Sequence, residues 1–209
     1  MLGLPASTEI HMLITRKRVY EHFGADMSAE RRKRFEADIA RMVLTNEVSP
    51  VSINLPAGEQ VQSFFVLQVT LKEKEFDAQN IALLARLFGQ RLVMMLEYEG
   101  RQRLALWQGR LYLTEWADAG AWTLPLTGLN LDQAWEHIVA QIAGIDRDPG
   151  RALDEQLAQA AQREKLQKEI ARLEKQARAE RQPKKKFELV QKIKAYRQNL
   201  EVNRHESNI

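Results

Sequence analysis

A run of four charged residues, KEKE at 72–75, ends the clearest strand pattern in the chain and could help to hold a metal ion. Every second residue from Phe65 to Leu71 is large and apolar, which predicts a strand with one buried face. The charged residues that could form a metal site near this strand are Glu59, Lys72, Glu73 and Glu75. A metal-dependent nuclease needs carboxylates and a lysine at a strand end to bind Mg²⁺ and activate water. A restriction-type core has an acid two positions before the lysine, where this chain has Thr70, so a nuclease stays an alternative to a solvated strand end.

The sequence contains no other pattern typical of a catalytic site. It has no cysteine, which excludes disulfides and cysteine-based zinc sites. Its four histidines lack the spacing of metal ligands, and it has neither a phosphate-binding loop nor a nucleophile elbow. We therefore predict no catalytic, cofactor-binding or metal-binding residue, and an enzyme is the less favoured class of protein.

Two basic clusters could contact a nucleic-acid backbone. They are Arg31, Arg32, Lys33 and Arg34 in a predicted helix, and Lys184, Lys185 and Lys186 after Pro183. The first cluster covers a full helical turn, so its side chains point in several directions. The second lies at a predicted hairpin tip, where a few phosphate contacts would give non-specific, salt-dependent binding, although a solubilising tip explains it equally well. A nucleic-acid base could also stack on the ring of Trp107, because basic residues flank this tryptophan. The flanking residues are Arg101, Arg103 and Arg110.

The C-terminal third of the chain carries a narrow apolar stripe. Leu166, Ile170 and Leu173 recur at helical spacing, and the stripe resumes after Pro183 with Arg197 interrupting it. A helix with one apolar seam needs a partner to bury that seam. Because Pro183 does not fit inside an undistorted helix, the tail is either an antiparallel helical hairpin or a kinked rod that needs a dimer. We predict the hairpin, with a seam or partner-binding surface formed by Leu166, Ile170, Leu173, Val190, Ile193 and Leu200.

The remaining patterns place these residues in an α+β fold. Capped amphipathic segments predict helices over about 15–23, 28–41, 77–88 and 131–143. Apolar segments bounded by glycine predict strands over about 63–72, 91–99, 101–108 and 110–116, with shorter ones at 42–45 and 121–126. We expect a mixed, mostly antiparallel sheet with helices on one side, followed by a C-terminal helical hairpin or coiled coil. The segment Gly144–Arg151, rich in Gly and Pro, separates a domain at 1–146 from a basic arm at 147–209.

Charge is distributed unevenly between these two parts. Residues 1–150 carry 16 Lys and Arg against 19 Asp and Glu, whereas residues 151–209 carry 15 against 9. A basic arm suits a nucleic-acid backbone or an acidic protein surface. The longest apolar run, at Leu92–Leu96, is far shorter than the ~20 residues of a membrane span, and the first residues lack the pattern of a signal peptide. We therefore expect a cytoplasmic protein without membrane contact.

Several segments of the chain occur in an order typical of one family. They are GLPASTEI (Gly3–Ile10), RKRVYEHF (Arg16–Phe23), VSPVSINLPAG (Val48–Gly58), MLEYEGRQRLALW (Met95–Trp107), GLNLDQAWEHIVAQIAG (Gly128–Gly144) and the L-x-K-x-I-x-x-L-E-K run of the tail. With these segments the whole chain resembles a bacterial family catalogued as domain of unknown function 4391. Members of that family resemble components of restriction-modification and phage-defence loci, beside helicases and DNA methyltransferases. The resemblance implies a setting and supplies no catalytic or binding residue.

These observations predict an accessory interaction protein that uses no cofactor. Its partner would be a larger protein, which the resemblance suggests is a helicase or a DNA methyltransferase. A metal-dependent nuclease and a non-specific DNA-binding subunit that uses the basic arm are the alternatives.

Overall fold

A computed structural model of the chain describes residues 2–24 and 27–205. Within this part the chain forms a seven-stranded sheet and six α-helices, preceded by a short 3-10 helix at Ala6–Thr8. The chain divides into two compact units, Met1–Asp146 and Arg147–Ile209. We call the first the sheet unit and the second the hairpin unit.

The sheet unit contains all seven strands and four of the helices. The strands are β1 (Glu9–Leu13), β2 (Ile39–Val48), β3 (Phe64–Leu71), β4 (Arg91–Tyr98), β5 (Arg101–Gln108), β6 (Arg110–Leu113) and β7 (Ala117–Asp118). The helices are α1 (Arg16–Phe23), α2 (Ala29–Asp38), α3 (Ala78–Phe88) and α4 (Leu131–Ala143). Each helix begins after a residue whose side chain accepts a hydrogen bond from a backbone N–H of the first turn, which satisfies one of its unpaired donors. These N-caps are Thr15, Ser28, Asp77 and Asn130.

The strands pair in the order β1-β2-β3-β4-β5-β6, and β7 also pairs with β5. All pairs are antiparallel except β3 with β4, which α3 connects as a crossover helix. The β4–β5 hairpin turns at Glu99 and Gly100, which both have positive φ, as a tight two-residue turn requires. The predicted fold class, an α+β fold with a mostly antiparallel sheet and a C-terminal helical hairpin, is confirmed.

Helices cover both faces of the sheet. Phe35 of α2 and Ile81 of α3 pack in one buried cluster with Leu67 and Met94 of the central strands. Phe64 points to the opposite face, because successive residues of a strand alternate, and its ring lies 5.5 Å from that of Trp135 on α4. We expected helices on one side only; β3, β4 and β5 are apolar on both faces, so α4 covers the second one.

Two segments differ from the expected secondary structure. Helix α2 ends at Asp38, and β2 runs over ten residues from Ile39, because Ile39 pairs with Leu71 of β3 and the sheet continues to that point. The expected strand at 121–126 does not form. Its Leu124 donates a single backbone hydrogen bond to Leu2, at 3.0 Å, and Pro125 has no N–H to extend the pairing.

The hairpin unit contains α5 (Leu153–Ala179) and α6 (Pro183–His205), joined by a three-residue turn. Pro183 is the first residue of α6, where its missing N–H would have no intrahelical partner and its fixed φ suits the helix. The two helices pack against each other, so the prediction of a hairpin is confirmed and the kinked rod is wrong. Among the described residues no helix is both long enough and apolar enough to cross a membrane.

Candidate functional site

The apolar seam of the hairpin is buried within the chain. Its buried residues are Ile170, Leu173, Ala177 and Ile193, with Leu189, Tyr196 and Leu200 packed against them. The structure thus brings together four of the six predicted seam residues and leaves out Leu166 and Val190. Val190 is 47% exposed, because the stripe that α6 buries has 4-3-4 spacing from Leu189 and turns Val190 outward.

An ion pair joins the two helices beside this seam. Arg197 on α6 lies 2.7 Å from Glu174 on α5, between Nη2 and Oε1. The arginine that interrupts the apolar stripe in the sequence is therefore a contact between helices. A second pair lies along α5, where the hydrogen bond from Arg172 holds the pKa of the Glu169 carboxyl below its usual value.

Two apolar side chains are exposed on the outer side of α6. Phe187 is 64% exposed, and Val190 lies one helical turn further on. Lys184 and Lys194, three residues before and seven after Phe187, fall on the same side of the helix. We call Lys184, Phe187, Val190 and Lys194 the hairpin patch.

The charges at the start of α6 oppose the helix dipole. Lys184, Lys185 and Lys186 are all exposed in its first turn, and that turn contains no acidic residue. Cations next to the positive end of a helix are unfavourable, typically by about 0.3–1 kcal/mol each at low salt. A bound anionic partner would relieve this repulsion, which makes the cluster a candidate for binding.

The other predicted basic cluster does not form one surface. Arg31 binds Gln79 and approaches Asp77, whereas Arg34 forms an ion pair with Glu30. Arg32 donates to the carbonyl of Gly24 and lies over the ring of Tyr20, and Lys33 is exposed. The three arginines therefore point to three different partners inside the sheet unit.

The acids considered for a nuclease are not brought together. Lys72 donates to the backbone carbonyl of Glu36, while Glu73 and Glu75 are exposed in the turn after β3. Glu59 precedes β3, so the eight residues of that strand, roughly 26 Å, separate it from the other acids. Within the described ranges no three Asp, Glu or His side chains are close enough to share a metal ion.

A cleft of about 590 Å³ lies at the other end of the parallel pair, where β3 and β4 begin and α3 ends. We call it the arginine cleft. The polar side chains that line it are those of Gln60, Gln62, Ser63, Arg86, Gln90 and Arg91, and Trp107 adds an aromatic ring. None of the lining residues is acidic, so the cleft is positively charged. Its volume is in the range of pockets for small molecules.

Aromatic rings hold the two arginines on opposite faces of the sheet, because Arg91 pairs with Phe64 and faces α4, whereas Arg86 lies on α3. The guanidinium of Arg86 lies 5.4 Å from the ring centre of Trp107, and that of Arg91 lies 5.7 Å from the ring centre of Trp135. Arg91 Nη1 also donates to Gln108 Oε1 at 3.0 Å, across the β4–β5 pair. A cation stacked on an aromatic face keeps its N–H edge available for a planar or tetrahedral anion.

The arginines expected to flank Trp107 contact other aromatic rings. Arg103 lies over Trp116, with 5.4 Å between the guanidinium and the ring centre, and Arg110 lies over Tyr112 at 4.6 Å. The partner of Trp107 is instead Arg86 of α3, and one strand, β4, lies between α3 and the strand that carries Trp107. Stacking of a base on Trp107 stays a prediction.

The loop that carries two of the cleft glutamines is tied to α4. The carboxylate of Asp132 accepts hydrogen bonds from the backbone N–H groups of Glu59 and Val61 at 2.7 Å and of Gln60 at 3.1 Å. Gly58 permits this close approach, because a Cβ there would lie 2.2 Å from the carboxyl carbon of Asp132. One carboxylate thus determines the path of the loop beside the cleft.

The sequence offered only a weak signal for the arginine cleft. Arg86 and Arg91 stand on either side of Gly89, which ends α3, and this spacing places one at a helix end and the other at a strand start. Trp107 reaches Arg86 only through the register of β5 against β4. That register depends on the hairpin turn and on packing far away in the sequence.

Comparison with protein families gives one match. The family model described as a domain of unknown function, DUF4391, covers residues 2–200 of the chain. Searches of curated proteins and of solved structures gave no match.

Proposed function

The chain belongs to this family of unknown function, and we propose that it is an accessory interaction protein whose hairpin patch docks into an acidic groove on a larger partner protein. The observation that supports the proposal best is the exposure of Phe187 and Val190, one turn apart on α6, between lysines. Apolar anchors at helical spacing are how a helix binds in a groove.

The buried seam argues for the outer side of α6 as the docking surface. Ile170, Leu173 and Ile193 already cover one another, so exposing them to a partner would first require the helices to separate. Phe187 and Val190 need no such change. Burying two such side chains on binding contributes roughly 1.5–3 kcal/mol for each that is fully covered.

The charges around these anchors favour an acidic partner. Lys184, Lys185 and Lys186 lie at the positive end of the α6 dipole. Carboxylates on a partner would offset both the charge of these lysines and the positive end of the dipole. The family resemblance suggests a helicase or a DNA methyltransferase as the partner, and these are the first proteins to test. Duplex DNA is also anionic, but its backbone provides no apolar groove for Phe187 and Val190.

Binding of the full chain to a helicase and to a DNA methyltransferase purified from the same host tests the proposal. We expect the double variant Phe187→Ser/Val190→Ser to bind at least about tenfold more weakly, by the loss of two apolar anchors. Lys184→Gln/Lys194→Gln should chiefly slow association and reduce its dependence on salt. Isothermal titration and surface plasmon resonance measure the two effects.

Val51→Ser and Leu129→Ser provide matched controls, because both residues are exposed apolar side chains of the sheet unit. They should leave partner binding unchanged. The proposal fails if neither partner binds, or if the patch variant and the controls bind equally well. It also fails if a duplex of about 20 bp binds with steep salt dependence and the loss of Phe187 and Val190 has no effect, because phosphate contacts alone would then explain the basic tip.

A further inference from the structure

We propose that two copies of this chain pair through the free edges of their β1 strands, which lie antiparallel and join the two sheets into one. The interface lies wholly within the sheet unit and is separate from docking through α6. β1 (Glu9–Leu13) is the first strand in the sheet order, and among the described residues its only strand partner is β2. The other edge of β1 can therefore accept a further strand.

The backbone of Leu13 offers a donor and an acceptor at this edge. The N–H of Ile14 donates to the carbonyl of Met42 on β2 at 3.0 Å. Because the backbone groups of successive residues in a strand point to opposite sides, the N–H and C=O of Leu13 point away from β2. The irregularity in the pairing of β1 with β2 lies between Glu9 and Met12, so it ends before Leu13. Leu13 thus belongs to the regular part of the strand, where a new strand can pair.

The side chains of β1 also favour a contact at this edge. Among the described residues, the only large apolar side chains that are exposed on a strand are those of Met12, at 47%, and Leu13, at 57%. Successive side chains of a strand alternate, so these two lie on opposite faces of the sheet. A second strand along the edge would cover part of both. An exposed edge strand with apolar side chains is a template for pairing with another chain.

The opposite edge of the sheet is less suited to pairing. Its strand, β6, has four residues and begins with Arg110. The guanidinium of Arg110 lies over the ring of Tyr112 on the same strand, which is buried. Short edge strands that carry a charge are a common protection against pairing with other chains. Each chain therefore uses one edge, and two copies form a closed dimer rather than a growing row of sheets.

The charges beside β1 favour a second copy of the chain as the occupant of this edge. Glu9 begins the strand, whereas Lys17 and Arg18 follow it in α1, and all three side chains are exposed. Lys17 lies 3.7 Å from Glu21, a long and exposed ion pair that competes only weakly with a carboxylate of another copy. When the Leu13 of one copy lies opposite that of its partner in an antiparallel pair, the acidic end of each strand lies beside the basic end of the other. Opposite charges thus meet twice across the two-fold axis.

Sedimentation equilibrium of the full chain tests this inference. We expect a monomer–dimer equilibrium with a dissociation constant below about 0.1 mM, a weak value because β1 has only five residues. Leu13→Pro is the decisive variant, since it removes the N–H that points away from β2 and keeps the hydrogen bonds to β2. It should weaken the dimer at least about tenfold. Leu13→Lys should have the same effect, because it places two like charges opposite each other.

Val51→Lys is the matched control, because Val51 is an exposed apolar residue of the sheet unit that lies outside the strands. It makes the same charge change as Leu13→Lys and should leave the dimer unchanged. The Phe187→Ser/Val190→Ser variant should also dimerise like the original chain, which separates this interface from the hairpin patch. Circular dichroism verifies that all the variants fold.

Cysteine crosslinking locates the two-fold axis. The chain contains no cysteine, so an introduced cysteine reports on one position. Opposite residues of a hydrogen-bonded antiparallel pair have their Cα atoms about 5.5 Å apart, which is within the range of a disulfide. Leu13→Cys should therefore form a covalent dimer on mild oxidation, whereas Val51→Cys should not.

The inference is overturned if no dimer forms with a dissociation constant below about 0.1 mM, if both Leu13→Pro and Leu13→Lys dimerise as tightly as Val51→Lys, or if Leu13→Cys does not crosslink. Loss of the dimer in the Phe187→Ser/Val190→Ser variant would also contradict it, because the contact would then belong to α6. A monomeric chain whose binding to a helicase or a DNA methyltransferase is weakened by Leu13→Pro would contradict it as well. The edge of β1 would in that case receive a strand of the larger partner rather than a second copy of this chain.

Discussion

The sheet unit and the hairpin unit bury their apolar residues in different ways. Leu67 and Met94 of the central strands have no exposed surface, because helices cover both faces of the sheet. The seam of the hairpin is a single row, in which Ile170 and Ile193 each retain 8% exposure. A two-faced sheet depends on contacts between distant residues, whereas two paired helices bury one stripe each and leave most of their surface to solvent.

This difference also separates the two candidate binding surfaces. The arginine cleft is a concave site whose residues come from three elements and two loops, which suits a small ligand. The hairpin patch is convex and comes from one helix, which suits a groove on another macromolecule. The predictions below test how far the two units differ in stability and in the precision of their contacts.

The largest expected effect is truncation in the centre of the sheet. Leu67→Ala should lower the free energy of unfolding by about 3–5 kcal/mol, because the cavity lies between a strand and helices that are held from several sides. Ile193→Ala should cost about 2 kcal/mol, the low end of such substitutions, since solvent lies close to the seam. Urea unfolding combined with hydrogen exchange for each unit measures both. Equal losses would contradict the contrast between the two cores.

The next effect concerns the loop beside the arginine cleft. Gly58→Ala should cost about 1–3 kcal/mol, because its Cβ would displace the Asp132 carboxylate and leave backbone N–H groups without their acceptor. In an Asp132→Ala background the obstacle is gone, so the added cost of Gly58→Ala should fall to within about 0.5 kcal/mol. Thermal unfolding of the four proteins gives this coupling. Additive losses would show that Gly58 has another role.

Local patterns in the sequence predicted much of this fold. The helices α3 and α4 follow from capping residues, a stop at glycine and an apolar period of 3.6, which all act within a few residues. The strand β5 follows equally from the glycines on either side of it. Such signals need no knowledge of distant parts of the chain.

Features set by distant contacts were not predicted. Ile39 extends β2 beyond its local helical pattern because it pairs with Leu71, and α4 covers the second face because Trp135 packs on Phe64. The arginine cleft depends on the same kind of contact, since Trp107 meets Arg86 only after β4 and β5 are in register. Residue types alone give no indication of which arginine will reach which ring.

The predicted seam of α6 differs from the structure at one residue, because Leu189 packs against α5 where Val190 was expected, whereas Ile193 and Leu200 lie in the seam. Leu189 and Val190 are neighbours of similar hydrophobicity, so only packing against α5 decides which one is buried. Leu189→Ser should destabilise the hairpin by about 1–2 kcal/mol, whereas Val190→Ser should stay within about 0.5 kcal/mol of the original chain. Hydrogen exchange of α5 and α6 compares the two. A larger loss at Val190 would restore the seam predicted from the sequence.

The smallest expected effect is that of the ion pair between the helices. Arg197 and Glu174 lie 2.7 Å apart, but their side chains are 63% and 30% exposed, so water weakens their attraction. A double-mutant cycle of Arg197→Gln and Glu174→Gln should give a coupling of about 0.5 kcal/mol, and about 1 M salt should nearly remove it. The matched control is Lys17 with Glu21 on α1, which is longer at 3.7 Å and more exposed, and its coupling should be smaller still. If the coupling between Arg197 and Glu174 instead exceeds about 1 kcal/mol and persists at high salt, the pair lies in a drier environment than its exposure indicates. The hairpin unit would then resemble the sheet unit more closely than its single buried row suggests.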